Sequence, residues 1–333
     1  MYNNASIKII FFVIIFILCY INIIYTILMN AKYIQLYKGE YIKQLSNNNK
    51  LIKPKVIVFD LDETIGSFYD LELLWRGLHI YKNKNNFIFY NTQENFNKLL
   101  DLYPEFLRYG ILNILDFLKF KKQTDGSIKI YIYTNNNLPK IWANMIIKYL
   151  EYKQNCPLLF DKIISAFKIN KIIIEPNRTT NKKTYSDFIR CTLLPKNIEL
   201  CFIDNDYYEK MDNGKVYYIQ PKPYFHKIIT SEIINRFLLS NIIDFTKNNI
   251  NNNNHISKPK CNDFLYSWFI QNNSFVKISK NKFEIEIDTI VSQKMMYYIQ
   301  EFFYLTIKNK KKNTKKIKLS NIGRFTRKIH RNM

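Results

Sequence analysis

The 333-residue sequence lacks the cysteine and histidine patterns that mark several kinds of site. Its five cysteines include no C-x-x-C pair, and their odd number and wide spacing argue against a disulfide framework. None of them is followed by arginine six residues later, so the active-site signature of cysteine phosphatases is absent. The four histidines show no zinc-type spacing, which argues against a zinc site built on them.

Glycine and proline are also scarce, with seven and nine residues, whereas Asn, Lys, Ile, Tyr and Phe are over-used. AT-rich codons encode this set of residues, so genome bias accounts for much of it. Hydrophobic residues still make up 47% of the chain, which is enough for a real core and lies well above the disordered range. The length indicates one or two domains.

Acidic residues are few compared with basic ones: 27 Asp and Glu against 50 Lys and Arg, a formal net charge of +23. One interpretation is attraction to nucleic acid, anionic lipid or phosphoprotein; the other is codon bias that places lysine wherever a polar residue is tolerated. The charge is most concentrated in residues 307–333, which contain eleven Lys or Arg and no acid. Such a block is typical of a solvated tail, with nucleic acid or anionic lipid as its possible partner.

Residues 9–29 form a run of twenty-one residues without a charged side chain. A membrane-spanning helix needs about 20 apolar residues, so the run predicts a transmembrane helix within residues 1–30; a buried core helix is the alternative. No small-residue cleavage site of a signal peptide follows it. Lysines flank its C-terminal side, at Lys32, Lys38 and Lys43. By the positive-inside rule, and with free cysteines in agreement, we expect a single-pass membrane protein with a cytosolic body.

Strand and helix signals alternate after a polar juxtamembrane linker at 31–54. Apolar runs predict strands at 55–59, 128–134, 160–167, 198–204 and 215–220. Amphipathic spacing predicts helices at 108–122, 138–152 and 184–192. The alternation predicts a mostly parallel sheet with helices on both faces, which forms one α/β domain over residues 55–246. Residues 247–306 are predicted to be a linker and a helical C-terminal extension, with a helix in 283–307, and residues 307–333 a basic tail.

Polar side chains stand at the ends of three predicted strands. Asp60 follows the first strand, Thr134 ends the second, and Asp204 follows "IELCFI". In open α/β sheets the ligand lies at the carboxyl ends of the strands, so we expect these three side chains to meet in one crevice.

A second acid, Asp62, lies two residues beyond Asp60 and suggests phosphate-ester chemistry. An ionised aspartate can attack phosphorus, and a second carboxyl can protonate the leaving oxygen and later accept a proton from water. Two carboxylates repel a phosphate dianion, so this chemistry requires a hard cation such as Mg²⁺. It also requires a lysine and a hydroxyl to hold the other phosphate oxygens. The alternative for the two acids is a helix cap and a turn residue.

Four segments resemble the ordered motifs of the haloacid dehalogenase (HAD) superfamily. They are "DLDET" at 60–64, "YTNN" at 133–136, a downstream lysine, and "FIDND" at 202–206. The form of the first motif, with "RYG" before a helix and then "IYT", is most similar to the CTD-type and NLI-interacting-factor-like protein phosphatases. The resemblance covers about residues 54–225 and implies a HAD-type, Rossmann-like sheet with a small cap or none. "RYG" stands where that branch has "RPG", so a structural role is considered for Arg108.

The resemblance implies a role for each matching residue. Asp60 would be the nucleophile and Asp62 the general acid and base. Thr134 would bind a phosphate oxygen, and Lys183, or Lys182 in its place, would neutralise the phosphate.

The resemblance also implies a magnesium site and contacts to the substrate. The metal ligands would be Asp60, Asp62 through its backbone carbonyl, Asp204 and Asn205. The substrate-binding candidates are Thr64, Asn135 and Lys182.

The resulting prediction is a Mg²⁺-dependent phosphomonoester hydrolase that forms an aspartyl-phosphate, with a phosphorylated protein as substrate. Two alternatives stay open: a polynucleotide end phosphatase, favoured by the basic tail, and a catalytically inactive, membrane-attached HAD scaffold. The interval from Gly66 to Pro104 has mixed character and a strand-like "NFIFY" at 86–90. It does not predict a large lid, and an open site suits a macromolecular substrate.

Overall fold

The computed structural model describes residues 33–43, 53–85, 89–195, 197–243, 257–272 and 280–307. The predicted transmembrane segment at 9–29 and the basic tail beyond residue 307 lie outside these described residues. Within the described ranges, no helix combines the length and the apolar character needed to cross a membrane.

Ten strands and eight α-helices make up the described fold. The strands are β1 (Ile34–Tyr37), β2 (Tyr41–Lys43), β3 (Lys55–Phe59), β4 (Lys129–Tyr133), β5 (Lys162–Ile164), β6 (Lys168–Ile169), β7 (Ile172–Ile173), β8 (Glu199–Ile203), β9 (Val216–Pro221) and β10 (Leu305–Ile307). The helices are α1 (Tyr69–Asn85), α2 (Gln93–Asp101), α3 (Ile111–Thr124), α4 (Lys140–Lys153), α5 (Tyr185–Thr192), α6 (Thr230–Leu239), α7 (Lys258–Asn272) and α8 (Lys282–Phe303). A 3₁₀ turn, Pro104–Phe106, precedes α3.

The central sheet has six strands in the order β1-β9-β8-β3-β4-β5. The five strands from β9 to β5 run parallel, and β1 pairs antiparallel with β9 at one edge. This mixed α/β architecture confirms the predicted mostly parallel sheet. The helices that connect parallel strands cover both faces of the sheet. Each strand is therefore buried on both sides and appears in the sequence as a continuous apolar run.

Side chains of the parallel strands alternate between two hydrophobic cores. In β3, Val56 and Val58 face a core that includes Phe188 of α5, whereas Ile57 and Phe59 face the larger core. Residues from α1 to α4 and from α6 to α8 contribute to that larger core. Each fully buried side chain of this size contributes about 1.5–3 kcal/mol. The helices therefore cover both faces, as predicted, but unequally.

The predicted juxtamembrane linker at 31–54 is wrong in part, because it contains two strands. Strand β1 extends the central sheet through backbone pairing with β9, and β2 pairs antiparallel with β10. Burial of Ile34 and Tyr41 accompanies this pairing. The Tyr41 hydroxyl also donates to the carbonyl of Lys215, 3.0 Å away. These long-range contacts attach the segment to the domain.

The predicted C-terminal extension packs into the larger core. The predicted helix at 283–307 corresponds to α8 followed by β10, and α7 lies between it and the predicted linker at 247–254, which is outside the described residues. Leu265 and Phe269 of α7, four residues apart on one helix face, are buried, as are Met295 and Phe302 of α8. The domain boundary predicted at residue 246 is therefore corrected: these helices share the core of the sheet.

The interval between Gly66 and Pro104 forms helices α1 and α2. In the described part of the strand-like segment at 86–90, Phe89 and Tyr90 belong to no strand. Phe89 instead packs against the Trp75 ring at a centroid distance of 5.3 Å. Phe89 is therefore part of the core, whereas Tyr90 is exposed.

Candidate active site

The connections of the sheet create a crevice between the carboxyl ends of β3 and β8. From β3 the chain proceeds to β4 and β5 on one side, whereas β8 leads to β9 on the other. Ligands in open α/β sheets bind at such a reversal of strand order. Asp60 and Asp204 follow these two strands, and the Asp60 backbone N–H donates to the Ile203 carbonyl at 2.9 Å. The predicted convergence of the two acids at this edge is therefore present.

Lys183 joins the two acids. Its Nζ donates to Oδ1 of Asp60 and to Oδ2 of Asp204, the latter at 2.6 Å. The lysine is 1% exposed and directly precedes Thr184, which caps α5 by accepting from the Asp187 N–H at 3.0 Å. The cap fixes where the chain turns into the crevice. Its neighbour Lys182 has an exposed side chain, so the geometry distinguishes between the two candidate lysines.

Burial and nearby negative charge shift the pKa values of the acids in the crevice. Burial raises the pKa of Asp204 to about 8 and that of Asp62 to about 6, and the charge of Asp60 adds to both shifts. Burial also raises the pKa of Asp60, against the opposing Lys183 ammonium. Burial alone would lower the pKa of Lys183, but the charges of Asp204 and Asp60 outweigh it and raise that pKa. Three carboxyl groups therefore share one ammonium group, and the crevice favours an added cation.

Asp62 and Thr134 are linked by Asn136, a residue that we did not assign from the sequence. The Asn136 amide Nδ2 donates to Oδ2 of Asp62 at 2.7 Å, and its backbone N–H donates to the Thr134 hydroxyl at 3.0 Å. Its Oδ1 accepts from the Leu138 backbone N–H at 2.7 Å. Because only an oxygen can accept that bond, the orientation of the amide is fixed. Asn136 thus holds the second acid beside the predicted phosphate-binding hydroxyl.

Thr64 and Asn205 form a reciprocal pair behind the crevice. The Thr64 hydroxyl donates to Oδ1 of Asn205 at 2.7 Å and accepts from the Asn205 backbone N–H at 3.0 Å. Thr64 is fully buried, so we assign it the support of Asn205 in place of the expected contact with substrate. A carbonyl oxygen has two lone pairs, so Oδ1 of Asn205 retains one for a metal or a water molecule.

Asn135 also supports the crevice through its side chain. Its Nδ2 donates to the Tyr208 hydroxyl at 3.0 Å, and its Oδ1 accepts from the buried guanidinium of Arg178 at 2.7 Å. The same guanidinium donates to the carbonyls of Thr134 and Ser165. Both ends of the Asn135 amide are therefore engaged by the scaffold. The expected substrate contact of Asn135 stays a prediction.

Arg108 has the structural position considered for it. Its buried guanidinium donates to the carbonyls of Glu63 and Thr64, each at 2.5 Å, and to that of Lys222 at 2.9 Å. Glu63 has a left-handed backbone, with φ of 60°, which an L residue adopts at a cost. The arginine thus fixes the turn that carries the chain away from Asp62.

Two residues of this network had no usable signal in the sequence. Arg178 is one of many cations in a basic chain, and nothing local predicts its burial. Asn135 and Asn136 are adjacent in "YTNN", so the sequence shows both amides but does not indicate which of them contacts Asp62. The direction of each side chain depends on the turn after β4, which tertiary contacts determine.

Among the described residues, no three His, Cys, Asp or Glu side chains are grouped closely enough to hold a metal ion. The expected ligand set differs in kind, since it combines Asp60 and Asp204 with a backbone carbonyl and an amide oxygen. Carboxylate, carbonyl, amide and water oxygens are the donors that Mg²⁺ prefers, and Mg²⁺ commonly retains several waters. The donor chemistry at the crevice therefore fits this ion.

Comparisons with known families and curated proteins assign no role to these residues. A scan against models of protein families finds no match, and a search of curated proteins finds no significant similarity.

Proposed function

We propose that the chain is a Mg²⁺-dependent phosphomonoester hydrolase of the haloacid dehalogenase type that works through an aspartyl-phosphate. The observation that carries the proposal is the contact of one buried lysine, Lys183, with both Asp60 and Asp204 at the switch point of the sheet. A single carboxylate is enough to neutralise the charge of one buried ammonium group. An excess of buried carboxylates around one ammonium, open to a crevice, is typical of a site built for a cation and an anionic ligand.

Asp60 is the proposed nucleophile. Its side chain is one-tenth exposed at the crevice, and the Lys183 ammonium favours its ionised form. An oxygen of this carboxylate forms a bond to phosphorus while the bond from phosphorus to the leaving oxygen breaks. Lys183 holds the carboxylate in place and offsets negative charge beside it.

Asp62 is the proposed general acid and base. With its pKa raised to about 6, about one-tenth of the population is protonated at pH 7, far more than for a carboxyl group with the usual aspartate pKa. Asn136 donates to Oδ2, so the transferable proton resides on Oδ1. Asp62 gives this proton to the leaving oxygen. It then takes a proton from water as the water attacks phosphorus, and the bond from phosphorus to Asp60 breaks to release phosphate.

Thr134 is the proposed donor to a phosphate oxygen. Its hydroxyl already accepts from the Asn136 N–H, so its own proton can be given to an anionic oxygen. In the bound state, Mg²⁺ would be held by Asp60, Asp204, the Asp62 carbonyl and Asn205, and it would neutralise phosphate charge. Lys182, exposed at the start of α5, is available to contact the rest of the substrate.

A phosphorylated protein is the proposed substrate. The positive charge of the chain favours a phosphate-bearing macromolecule. The interval after the first motif folds into core helices, and the interval after the second folds into α4, β5 and a short hairpin, so neither forms a large lid among the described residues. The concentration of eleven cations in residues 307–333 favours a polynucleotide end as the second candidate.

The test is phosphate release by the full-length chain from an aryl phosphate, with Mg²⁺ and with EDTA. We expect activity that EDTA abolishes and that Asp60→Asn lowers by roughly 10³-fold or more. Asp116→Asn is the matched control, because Asp116 is an exposed carboxylate of α3 paired with Lys119. Equal activity in the Asp60 variant would exclude the nucleophile. Phosphopeptides compared with 3′- and 5′-phosphorylated oligonucleotides then separate the two substrates.

A further inference from the structure

A small β-hairpin projects from the carboxyl edge of the sheet. Residues 167–174, here called the Ile hairpin, contain β6 and β7, which pair antiparallel. The two residues between them, Asn170 and Lys171, have φ angles of 49° and 68°, so the turn is of the kind that matches the twist of two strands. No residue of either strand is buried.

The base of the Ile hairpin is fixed to the candidate active site. The hairpin begins three residues after β5 ends, and the Ile174 N–H donates to the Phe167 carbonyl at 2.9 Å. Arg178 lies just beyond it and donates to the carbonyls of Ser165 and Thr134, at 2.7 and 3.2 Å. The hairpin and the crevice therefore belong to one edge of the molecule.

Both faces of the Ile hairpin expose apolar side chains, with lysines beside them. Ile172 and Ile173 are 67% and 54% exposed, and Ile174 beside them is exposed as well. The hairpin contains two lysines, Lys168 and Lys171, and no acid. Adjacent exposed apolar side chains mark an interaction surface. Apolar side chains flanked by lysines are typical of segments that lie in the interface of an anionic bilayer.

The opposite end of the same edge is where the N-terminal segment joins the fold. Strand β1 runs antiparallel to β9, and Ile34 pairs with Pro221, so β1 begins at the carboxyl edge. The Lys222 N–H donates to the Tyr33 carbonyl at 2.7 Å, and Arg108 links the Lys222 carbonyl to that of Glu63, next to the acids of the crevice.

The uncharged run at 9–29 ends four residues before Tyr33. Four residues span at most about 14 Å, so the chain enters the carboxyl edge within that distance of the end of the run. Strands β1 and β5 are the outer strands of the six, and five strand spacings give about 24 Å between them. The crevice between β8 and β3 lies between these two points.

We propose that the carboxyl edge of the sheet rests on an anionic lipid bilayer, with the Ile hairpin inserted into the interface and the crevice turned towards the lipid. Two apolar features, one at each end of the edge, bracket the crevice and fix its orientation. As a consequence that rests on the proposed function, the phosphoryl groups that reach Asp60 are those presented at the bilayer surface. The binding itself does not depend on catalysis.

The test uses the full-length chain reconstituted into vesicles of phosphatidylcholine and phosphatidylserine, with or without brominated phosphatidylcholine as a quencher of tryptophan. Ile173→Trp places a reporter on the Ile hairpin. Phe120→Trp is the matched control: Phe120 is 59% exposed near the end of α3, which leads into the amino end of β4 on the opposite edge. Both substitutions are at exposed positions, and circular dichroism checks the fold of each variant.

We expect the bromolipid to quench the added emission of Ile173→Trp at least about twofold more strongly than that of Phe120→Trp, because only the hairpin reaches the acyl boundary. Equal quenching of the two reporters would overturn the proposal and would favour water or a protein as the neighbour of the hairpin. The readout requires no turnover, so an inactive but quenched protein would count against the proposed function alone.

A charge variant tests the anionic part of the proposal. Lys168→Glu with Lys171→Glu, in the Ile173→Trp background, should reduce quenching on vesicles that contain phosphatidylserine and leave it unchanged on phosphatidylcholine alone. Undiminished quenching on the anionic vesicles would show that the headgroup charge plays no part and would overturn that part of the proposal.

Discussion

At each edge of the parallel sheet a lysine is paired with carboxylates at the ends of β3 and β8: the partly buried Lys55 at the amino edge and the buried Lys183 at the carboxyl edge. At the amino edge Lys55 and Glu199 face each other in register, with Nζ and Oε2 2.7 Å apart. At the carboxyl edge, Lys183 contacts Asp60 and Asp204. Both sites pair a lysine ammonium with carboxylate oxygens, but the groups around the two sites differ.

At the amino edge, every charge has a partner of opposite sign and the remaining hydrogen-bonding groups are used. Lys55 also donates to the carbonyls of Phe302 and Leu305, at 3.1 and 2.7 Å, and Glu199 accepts from the Ile307 N–H at 3.1 Å. These contacts attach the end of α8 and β10 to the sheet. The pair therefore serves the fold.

At the carboxyl edge, the charges do not balance. Asp60, Asp62 and Asp204 share one ammonium group, and the raised pKa values of the acids show the cost of their proximity. A buried ion pair alone therefore does not indicate a function. An unbalanced one at a topological switch point does, and the following predictions test this difference.

The largest effect is expected for Lys183→Met. The substitution removes the ammonium that holds Asp60, so we expect phosphate release to fall by roughly 10³-fold, about 4 kcal/mol. Lys182→Met, at the exposed neighbour, is the matched control and should retain most of the activity. Steady-state kinetics with an aryl phosphate provide the measurement; similar losses in both variants would contradict the assignment of Lys183.

Lys55→Met should act on stability and leave the chemistry intact. It breaks a buried pair and leaves Glu199 without its cation, so we expect the free energy of unfolding to fall by about 3 kcal/mol. Denaturant titration measures this change. Lys98→Met, which breaks an exposed helix pair with Glu94, should leave the free energy of unfolding nearly unchanged. Wild-type stability of the Lys55 variant would show that the Lys55–Glu199 pair does not stabilise the fold.

Mg²⁺ should stabilise the folded chain through the carboxyl edge. At about 100 times its dissociation constant, an ion that binds only the native state adds about 2.7 kcal/mol, and we expect a matching rise in melting temperature. Asp204→Asn should lose most of this rise, whereas Asp116→Asn should keep it. Thermal scans with and without Mg²⁺ decide the point; an equal rise in both variants would place the ion elsewhere.

The smallest effect is expected for Asn136→Ala, and it depends on the leaving group. Without the amide, Asp62 loses its fixed orientation, so release of an alkyl alcohol, which needs a proton, should slow by about tenfold. Release of a nitrophenolate, a good leaving group, should hardly change. Asn137→Ala, at the exposed next residue, is the control. A uniform loss on both substrates would show that Asn136 has a merely structural role.

The central strands and the acids at their ends could be predicted from the sequence, for a local reason. The runs that became β3, β4 and β8 are buried on both faces, so each reads as a short apolar stretch followed by a polar residue. Asp60, Thr134 and Asp204 were found because their positions depend only on where those strands end.

The parts that the sequence did not reveal depend on distant partners. Strand β1 pairs with residues about 180 positions away, and β2 pairs with β10 across most of the chain, so no local period indicates them. The choice between Lys182 and Lys183 depends on a single turn before α5. Arg178 became identifiable only when its carbonyl partners were in place, because burial of a cation follows from tertiary contacts.

The central claim is that the Asp60 carboxylate receives the phosphoryl group. Turnover of a ³²P-labelled phosphomonoester by the full-length chain, stopped by acid and followed by proteolysis and mass spectrometry, tests it directly. The account predicts a phosphorylated peptide with the modification on Asp60, in the wild type and not in Asp60→Asn. Turnover with the phosphoryl group on another residue, or with no covalent intermediate under these conditions, would contradict it.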